Sequence, residues 1–392
     1  MRHLSLFSGC GGMDAGLAAS GSQCALAIDI DSKPLRTLSH NLTTPTLAHD
    51  LNIPMDLAAF RDIDLLACGP PCQGFSTIGF GDPHDPRNSL LTKCVEIAAH
   101  LRPRVVVVEN VLGLGSRKHS VLWQNVQSSL RTLGYKTQVL CIDMRALGLP
   151  QSRQRLILFA WLGQFNGQLE FDHKEPASLG SHLHNVSGSN HEPQFLAKDS
   201  RANRIAERIP PGASLCNVRL TAGSVRTWSI PEVFGATTAR ERRTLEALSV
   251  LRRRERTRKW GDADPVSKYR IDKFLGSYSG AQISTLLAAG YIKQIDIGTE
   301  IFFDLLHTFN GKFKRPHPDL WSPTVDTRFG DPNYFLHPIE NRAFTVREAA
   351  RIQGFSDTFR FHGTKRDQFR SIGNAVPPPA GLLIGTLVRR IL

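Results

Sequence analysis

Short apolar runs alternate with stretches of helical period through roughly the first 165 residues. Residues 4–7 form a compact apolar run, Gly9, Gly11 and Gly12 follow it, and a helical stretch then reaches about Ser20 and stops at Gly21. Residues 24–28, 63–67 and the four valines at 105–108 predict further strands. Pro34 stands where the first turn of a helix needs no N–H. Runs that are apolar at every position suit a parallel sheet covered on both faces. Strands alternating with helices imply a doubly wound α/β domain. Residues 135–143 and 155–162 predict the last two strands of that sheet.

The pattern changes after about residue 165. Residues 177–193 are rich in Ser, Gly, His and Asn without apolar period, as in a surface loop. Within 240–259, nine Arg and Lys face three Glu, while Leu245, Leu248 and Leu251 recur as one helix face would place them. Residues 279–290 predict a helix ending at Gly290, and 291–297 with 301–305 predict a hairpin about Gly298. Helical apolar patterning returns over 345–392. The expected plan is a catalytic α/β domain begun by residues 1–164 and completed by 321–392, with a smaller domain, 165–320, inserted between them.

The 392 residues suffice for a sizeable core, and 41% hydrophobic with 21% charged residues is globular composition. No apolar run approaches the ~20 residues of a membrane span, and residues 1–5 lack a signal peptide's apolar stretch. Seven cysteines, odd in number and irregularly spaced, do not form a disulfide framework. A cytoplasmic protein is expected. Its 48 Lys and Arg against 35 Asp and Glu, a net charge of +13, point to a polyanionic partner.

Two segments carry candidate chemistry. Phe7, Ser8, Gly9, Gly11 and Gly12 between a strand and a helix can seat a nucleotide-type ligand, because glycines let the ligand approach the backbone and the helix N–H groups. Asp29, at the end of the second strand, can accept bonds from ribose hydroxyls. The same pattern also fits a tight turn built for packing, and its spacing departs from the dinucleotide fingerprint. The second segment is Cys68-Gly69-Pro70-Pro71-Cys72-Gln73-Gly74-Phe75-Ser76. Its prolines stiffen a strand-end turn that can present the Cys72 thiolate to a substrate. Cys68 and Cys72 lack a second Cys/His pair at finger spacing, so no metal is expected. Cys24 and Cys94, on apolar segments, read as structural cysteines.

The cysteine turn and the glycine loop resemble those of the DNA (cytosine-5)-methyltransferases. The other blocks of that family follow in order: Asp85-Pro86-Arg87-Asn88-Ser89-Leu90, Glu109-Asn110-Val111, Gln151-Ser152-Arg153-Gln154-Arg155, residues 347–355, and Gly373-Asn374-Ala375-Val376-Pro377-Pro378. The resemblance implies a Rossmann-like, S-adenosylmethionine-dependent catalytic domain with 165–320 as the target recognition domain. It implies Cys72 as nucleophile, Glu109 at the cytosine N3 and Arg155 at its O2, with Arg153 a structural or phosphate partner. The cofactor would lie over residues 7–12 and Pro70, with Asp29 on the ribose and Asp50 near the adenine amino group. Asn374, Ala375 and Val376 would close the site, and Ile30 stands where many members carry an aromatic residue. The substrate would be a cytosine flipped out of duplex DNA, with Gln73 and Ser76 near the extruded base. Arg240, Arg252, Arg253 and Arg254 are expected on phosphates. A monomer of restriction-modification type, with a cognate endonuclease, is the leading expectation. A tRNA cytosine-5 methyltransferase, a catalytically silent DNA-binding protein of this fold and an NAD oxidoreductase are the alternatives.

Overall fold

The computed structural model describes residues 1–71, 89–115, 120–219, 221–257 and 263–392. They divide into two compact units: Met1–Glu192 with Pro318–Gly330 and Thr345–Leu392, and Pro193–His317 with Asp331–Phe344.

A seven-stranded sheet organises the first unit. Its strands are β1 (Arg2–Leu6), β2 (Gln23–Asp29), β3 (Thr46–Ala48), β4 (Leu65–Cys68), β5 (Val105–Val111), β6 (Lys136–Asp143) and β8 (Gln154–Trp161), in the order β3-β2-β1-β4-β5-β8-β6. The intervening β7 (Gln151–Ser152) pairs with β15 (Ser322–Pro323) instead. Val105, Val106, Val107 and Val108 are fully buried, as a doubly covered strand requires. Neighbours run parallel except at β8, which is antiparallel to both β5 and β6. Because β6 and β8 follow one another closely in the chain, they can pair directly as a hairpin without a crossover helix. The order reverses between β1 and β4, where the carboxyl ends of parallel strands leave a crevice.

The helices of this unit are α1 (Gly12–Ala19), α2 (Ser32–Asn41), α3 (Ser89–Leu101), α4 (Ser120–Thr132), α5 (Leu179–Leu183), α11 (Val346–Gln353), α12 (Lys365–Asn374) and α13 (Pro378–Ile391). The C-terminal α13 lies against α1. Ile384, Leu387, Val388 and Ile391 share an apolar cluster with Met13, Leu17, Val105 and Val107. Facing glycines set the closeness of that pair: a Cβ on Gly16 would sit 2.1 Å from the Pro378 carbonyl oxygen, and one on Gly381 2.4 Å from that of Met13.

The second unit begins at Pro193 rather than at 165, and it also takes in 331–344. Residues 165–192 are held by the first sheet and its loops. Leu169 is buried in the α13 cluster and exchanges two hydrogen bonds with the Gln138 side chain. The N–H groups of Lys174 and Leu179 donate to the carbonyls of Ala146 and Leu320. Conversely, the buried Arg315 donates to the carbonyls of Ile209, Ala206 and His337, tying 331–344 to the second unit.

That unit contains α6 (Arg201–Glu207), α7 (Pro231–Phe234), α8 (Ala239–Arg254), α9 (Lys268–Leu275) and α10 (Gly280–Ala288). One small sheet orders β10 (Ser224–Val225), β9 (Ser214–Cys216) and β14 (Asn310–Lys312); the other orders β11 (Val266–Ser267), β13 (Glu300–Leu305) and β12 (Ile292–Ile297). The basic stretch is helical as its leucine spacing predicts. Thr238 and Glu241 form a capping box at its start, and Leu245, Leu248 and Leu251 are buried. Strands β12 and β13 make the hairpin, with Gly298 at φ +62 in its turn.

Candidate active site

The crevice at the strand-order reversal holds a cavity of about 460 Å³, within the first unit. One wall is the loop between β1 and α1. Phe7 takes φ +58 there, a left-handed conformation that costs a non-glycine residue about 1 kcal/mol. Gly9 and Gly11 also have positive φ, at +55 and +83. The loop is fastened to β2, since the Ser8 N–H donates to Ile28 O and the Gly9 N–H to Asp29 Oδ2, at 3.0 and 2.9 Å. The other Asp29 oxygen accepts the Asp31 N–H at 2.9 Å. Burial raises the Asp29 carboxyl above its ordinary range, against the lowering by these backbone bonds.

Phe7, Ser8, Gly9, Asp29, Ile30 and Asp50 line the cavity, and Ile30 exposes an unpartnered apolar side chain to it. Gly11 and Gly12, expected to touch a cofactor, do not line it. They are needed for packing: a Cβ on Gly11 would meet the Leu38 side chain at 2.7 Å, and one on Gly12 the Val376 carbonyl oxygen at 2.2 Å. Asn374, Ala375 and Val376 form the opposing rim.

Glu109 and Arg155 reach the cavity from its far side. In the β5–β8 ladder Arg155 stands opposite Val111 and Glu109 opposite Ile157, so the two lie diagonally on one face. Arg155 Nε is 2.9 Å from Glu109 Oε1, and both side chains are largely buried. The antiparallel direction of β8 creates this meeting, because it starts the strand beside the end of β5.

Arg153, two residues earlier, behaves differently. It is buried and donates to the carbonyls of Val325, Gly373 and Ala375 at 2.9–3.2 Å. A DNA-phosphate role does not fit a guanidinium committed in this way; it fixes the 373–376 turn. Gln151 and Gln353, both buried, complete that network through a 2.6 Å bond and further bonds to Ile352, Ile372 and Ala375 carbonyls.

Pro70 and Pro71 also line the cavity. Cys72, Gln73 and Ser76 lie outside the described residues. Asn110, to which the sequence assigns no separate role, is buried and donates to Pro70 O at 3.3 Å, anchoring the turn that leads to Cys72. The sequence also gives no reason to single out Lys33 and Asp367, which meet at 3.1 Å on the cavity border. Thr364 and Lys33 bonds hold the Asp367 carboxyl down to about 2. The available signal was local: Asp31 and Thr364 are helix N-caps, and caps place strand-end loops beside the crevice. Cys10 lines the cavity too, but burial pushes its thiol up to about 12.

The profile of the C-5 cytosine-specific DNA methylases matches residues 1–387. The chain belongs to that family. Its reaction is methyl transfer to carbon 5 of cytosine in DNA, with S-adenosylmethionine as donor. The methylase is 29% identical over 417 residues to the Type II methyltransferase M.DdeI of Desulfomicrobium norvegicum, covering 100% of this chain and 88% of the relative. It is 26% identical over 425 residues to M.HgiCII of Herpetosiphon aurantiacus, covering 98% and 95%. The Entamoeba histolytica methyltransferase EhMeth shares its fold, with a TM-score of 0.57 at 15% identity over 100% of this chain and 98% of that one.

Among the arginines expected on DNA, Arg240, Arg253 and Arg254 of the methylase are exposed, but Arg252 is not. Arg252 turns inward and grips Asp304 with bonds of 2.7 and 3.3 Å. It sits one residue after Leu251, on the edge of the apolar face, and its long stem can be buried with that face. Arg252→Ala is expected to destabilise the methylase by about 3 kcal/mol, since it strands a mostly buried carboxylate. Arg253→Ala should change stability by less than about 0.5 kcal/mol. Urea unfolding of the two variants measures the contrast.

Proposed function

We propose that the methylase modifies a cytosine swung out of duplex DNA at a short specific sequence, through a transient bond between Cys72 and the base. The observation that carries this reading is one cavity bounded by a nucleotide-type wall, by the Glu109–Arg155 pair and by the prolines that lead into Cys72. S-adenosylmethionine, when bound, supplies an electrophilic methyl group.

The cavity suits such a cofactor in size, since small-molecule sites run to about 300–1,000 Å³, and in its donor set. Asp29 offers carboxylate oxygens held in place by two backbone N–H groups. Ile30 offers an apolar surface to a purine, and Phe7, Ser8, Gly9 and Pro70 surround the rest. Asp50 lies within reach of a purine amino group in that arrangement, and Asn374, Ala375 and Val376 close it.

In this reading the Cys72 thiolate adds to carbon 6 of cytosine. Glu109 holds a proton at N3, so negative charge does not accumulate on the ring. Arg155 donates to O2, and its bond to Glu109 orients both groups. Carbon 5 then carries the enamine's nucleophilic electron pair and would bond to the donor's methyl carbon as the methyl–sulfur bond breaks, the electron pair staying on sulfur and S-adenosylhomocysteine being the leaving group. Loss of the carbon 5 proton to water expels the thiolate and restores the aromatic base.

The second unit serves as the target recognition domain, with the exposed Arg240, Arg253 and Arg254 on phosphates. Gln73 and Ser76 take the extruded base. The Type II names of bacterial relatives support a cognate restriction endonuclease in the same cytoplasm.

Duplex DNA with 5-fluorocytosine at the target tests the chemistry. Fluorine cannot leave carbon 5 as a proton, so a covalent complex that survives denaturation is expected. Bisulfite sequencing of DNA from an expressing host supplies the cognate site for that substrate. Methylation of the ordinary site without any trapped complex on the fluorinated one would overturn the mechanism.

A further inference from the structure

Behind the glycine loop, on the side of α1 away from its first residue, three metal-ligating side chains converge. His3 comes from β1, Asp14 from α1 and Cys24 from β2. Their ligand atoms all lie within 4.8 Å of one another. His3 and Asp14 are almost completely buried.

These groups satisfy one another poorly through hydrogen bonds. His3 Nε2 is 3.4 Å from Asp14 Oδ1, well beyond the ~2.8 Å of a charge-assisted bond. Cys24 Sγ is 3.8 Å from the same oxygen. Asp14 Oδ2 is buried and has no hydrogen-bond partner among the described residues. A buried carboxylate oxygen left without a partner destabilises the fold around it.

The two separations from Asp14 Oδ1 suit a cation, and the His3 and Cys24 ligand atoms lie within 4.8 Å of each other. Ligand bonds of about 2.0–2.3 Å arranged tetrahedrally put neighbouring ligand atoms roughly 3.3–3.8 Å apart. The far nitrogen of His3, Nδ1, is 2.7 Å from Ser22 Oγ. That partner fixes the imidazole so that Nε2 faces Asp14 and Cys24, as an outer hydrogen bond does for a metal-bound histidine.

We propose that His3, Asp14 and Cys24 bind one divalent cation of the zinc class. Histidine nitrogen, carboxylate oxygen and thiolate sulfur are the donor set such an ion prefers. A dication with one carboxylate, one thiolate and a neutral imidazole is charge-balanced, which a dry site requires. The Cys24 proton leaves to solvent as the metal–sulfur bond forms, and the Asp14 carboxylate takes one position of the tetrahedron, its Oδ2 close enough to share the ion with Oδ1. The ion rivets α1 to β1 and β2, the elements that carry the glycine loop and Asp29. Residues 3, 14 and 24 lie on three different elements, so no ligand motif marks the site in the sequence.

The untagged full-length methylase, expressed in zinc-supplemented medium and dialysed, provides the test by elemental analysis. About one zinc per chain is expected, with background levels in His3→Gln and Cys24→Ser. Chelator treatment should lower the melting temperature and added zinc should restore it, because a ligand held only by the native state stabilises it. Cobalt(II) in place of zinc should give a thiolate-to-metal charge-transfer band that survives Cys72→Ser and disappears in Cys24→Ser. This control also answers the question should the His3 variant fail to fold. Zinc at background in the wild type, or zinc and the cobalt band unchanged in Cys24→Ser, would overturn the proposal. The cluster would then be a proton-bonded His–Asp–Cys network.

Discussion

Cys72→Ala is expected to abolish methyl transfer, lowering kcat by about 10⁴-fold or more, on the scale of losing an enzyme's nucleophile. Carbon 5 of cytosine is weakly nucleophilic until a group adds at carbon 6, so the later steps have nothing to act on without the sulfur. Among the described residues, the two cysteines nearest in the fold to the Pro70–Pro71 turn, Cys10 and Cys68, are poorly suited to substitute. Cys10, on the same cavity, has a thiol pushed up to about 12 by burial, which keeps it protonated at neutral pH. Cys68 is fully buried against Cys94, and burial raises its thiol well above the usual range. Methyl incorporation into cognate DNA should therefore vanish in Cys72→Ala and persist in Cys10→Ser. DNA affinity should stay near wild type in Cys72→Ala, because phosphate contacts supply most of it. Substantial turnover by Cys72→Ala would remove the assigned nucleophile.

The second large effect is on stability. Gly381→Ala would raise stability by about 1 kcal/mol in an isolated helix, because alanine is the better helix former. In the methylase the added Cβ would press to 2.4 Å from the Met13 carbonyl oxygen, and neighbouring backbone of Gly16 stands at 3.1 Å. Neither obstacle is the flexible end of a side chain. Overpacking should win by a wide margin, with Gly381→Ala costing about 3 kcal/mol. A unit of this size loses roughly 2–4 °C per kcal/mol, so the melting temperature should fall by about 6–12 °C. Thr386→Ala, on the exposed face of the same helix, should shift it by no more than about 2 °C. Gly381→Ala melting at or above wild type would mean that α1 and α13 do not pack this closely.

Periodicity made much of the scaffold legible. The valine run is the buried β5, the three leucines of the basic stretch are a buried face of α8, and Gly298 is a hairpin turn. Motif chemistry brought out Asp29, Glu109 and Arg155, all of which line one cavity. Sequence motifs were less able to separate working residues from supporting ones. Arg153 and Arg155 belong to one block, yet Arg153 holds the 373–376 turn and Arg155 meets Glu109. Alternation along a strand sends neighbours i and i+2 to the same face, so spacing alone predicts the same fate for both. The break between β7 and β8 at residue 153 separates them. Gly11 and Gly12 read as ligand-touching residues because glycine permits close approach, and the close approach proves to be that of Leu38 and Val376.

The order of the apolar runs, a physical consequence of which segments must leave water, determined the α/β class, the crevice-forming strand ends and the chemistry available there. It could not determine which distant segments would share a surface. The reversal of β8, which brings Arg155 beside Glu109, follows from a pairing choice that an apolar run leaves open. The seating of α13 on α1 and the inward turn of Arg252 toward Asp304 likewise depend on contacts between residues far apart in the chain. Local pattern encodes how much of a segment is buried; only the packed tertiary structure decides against what.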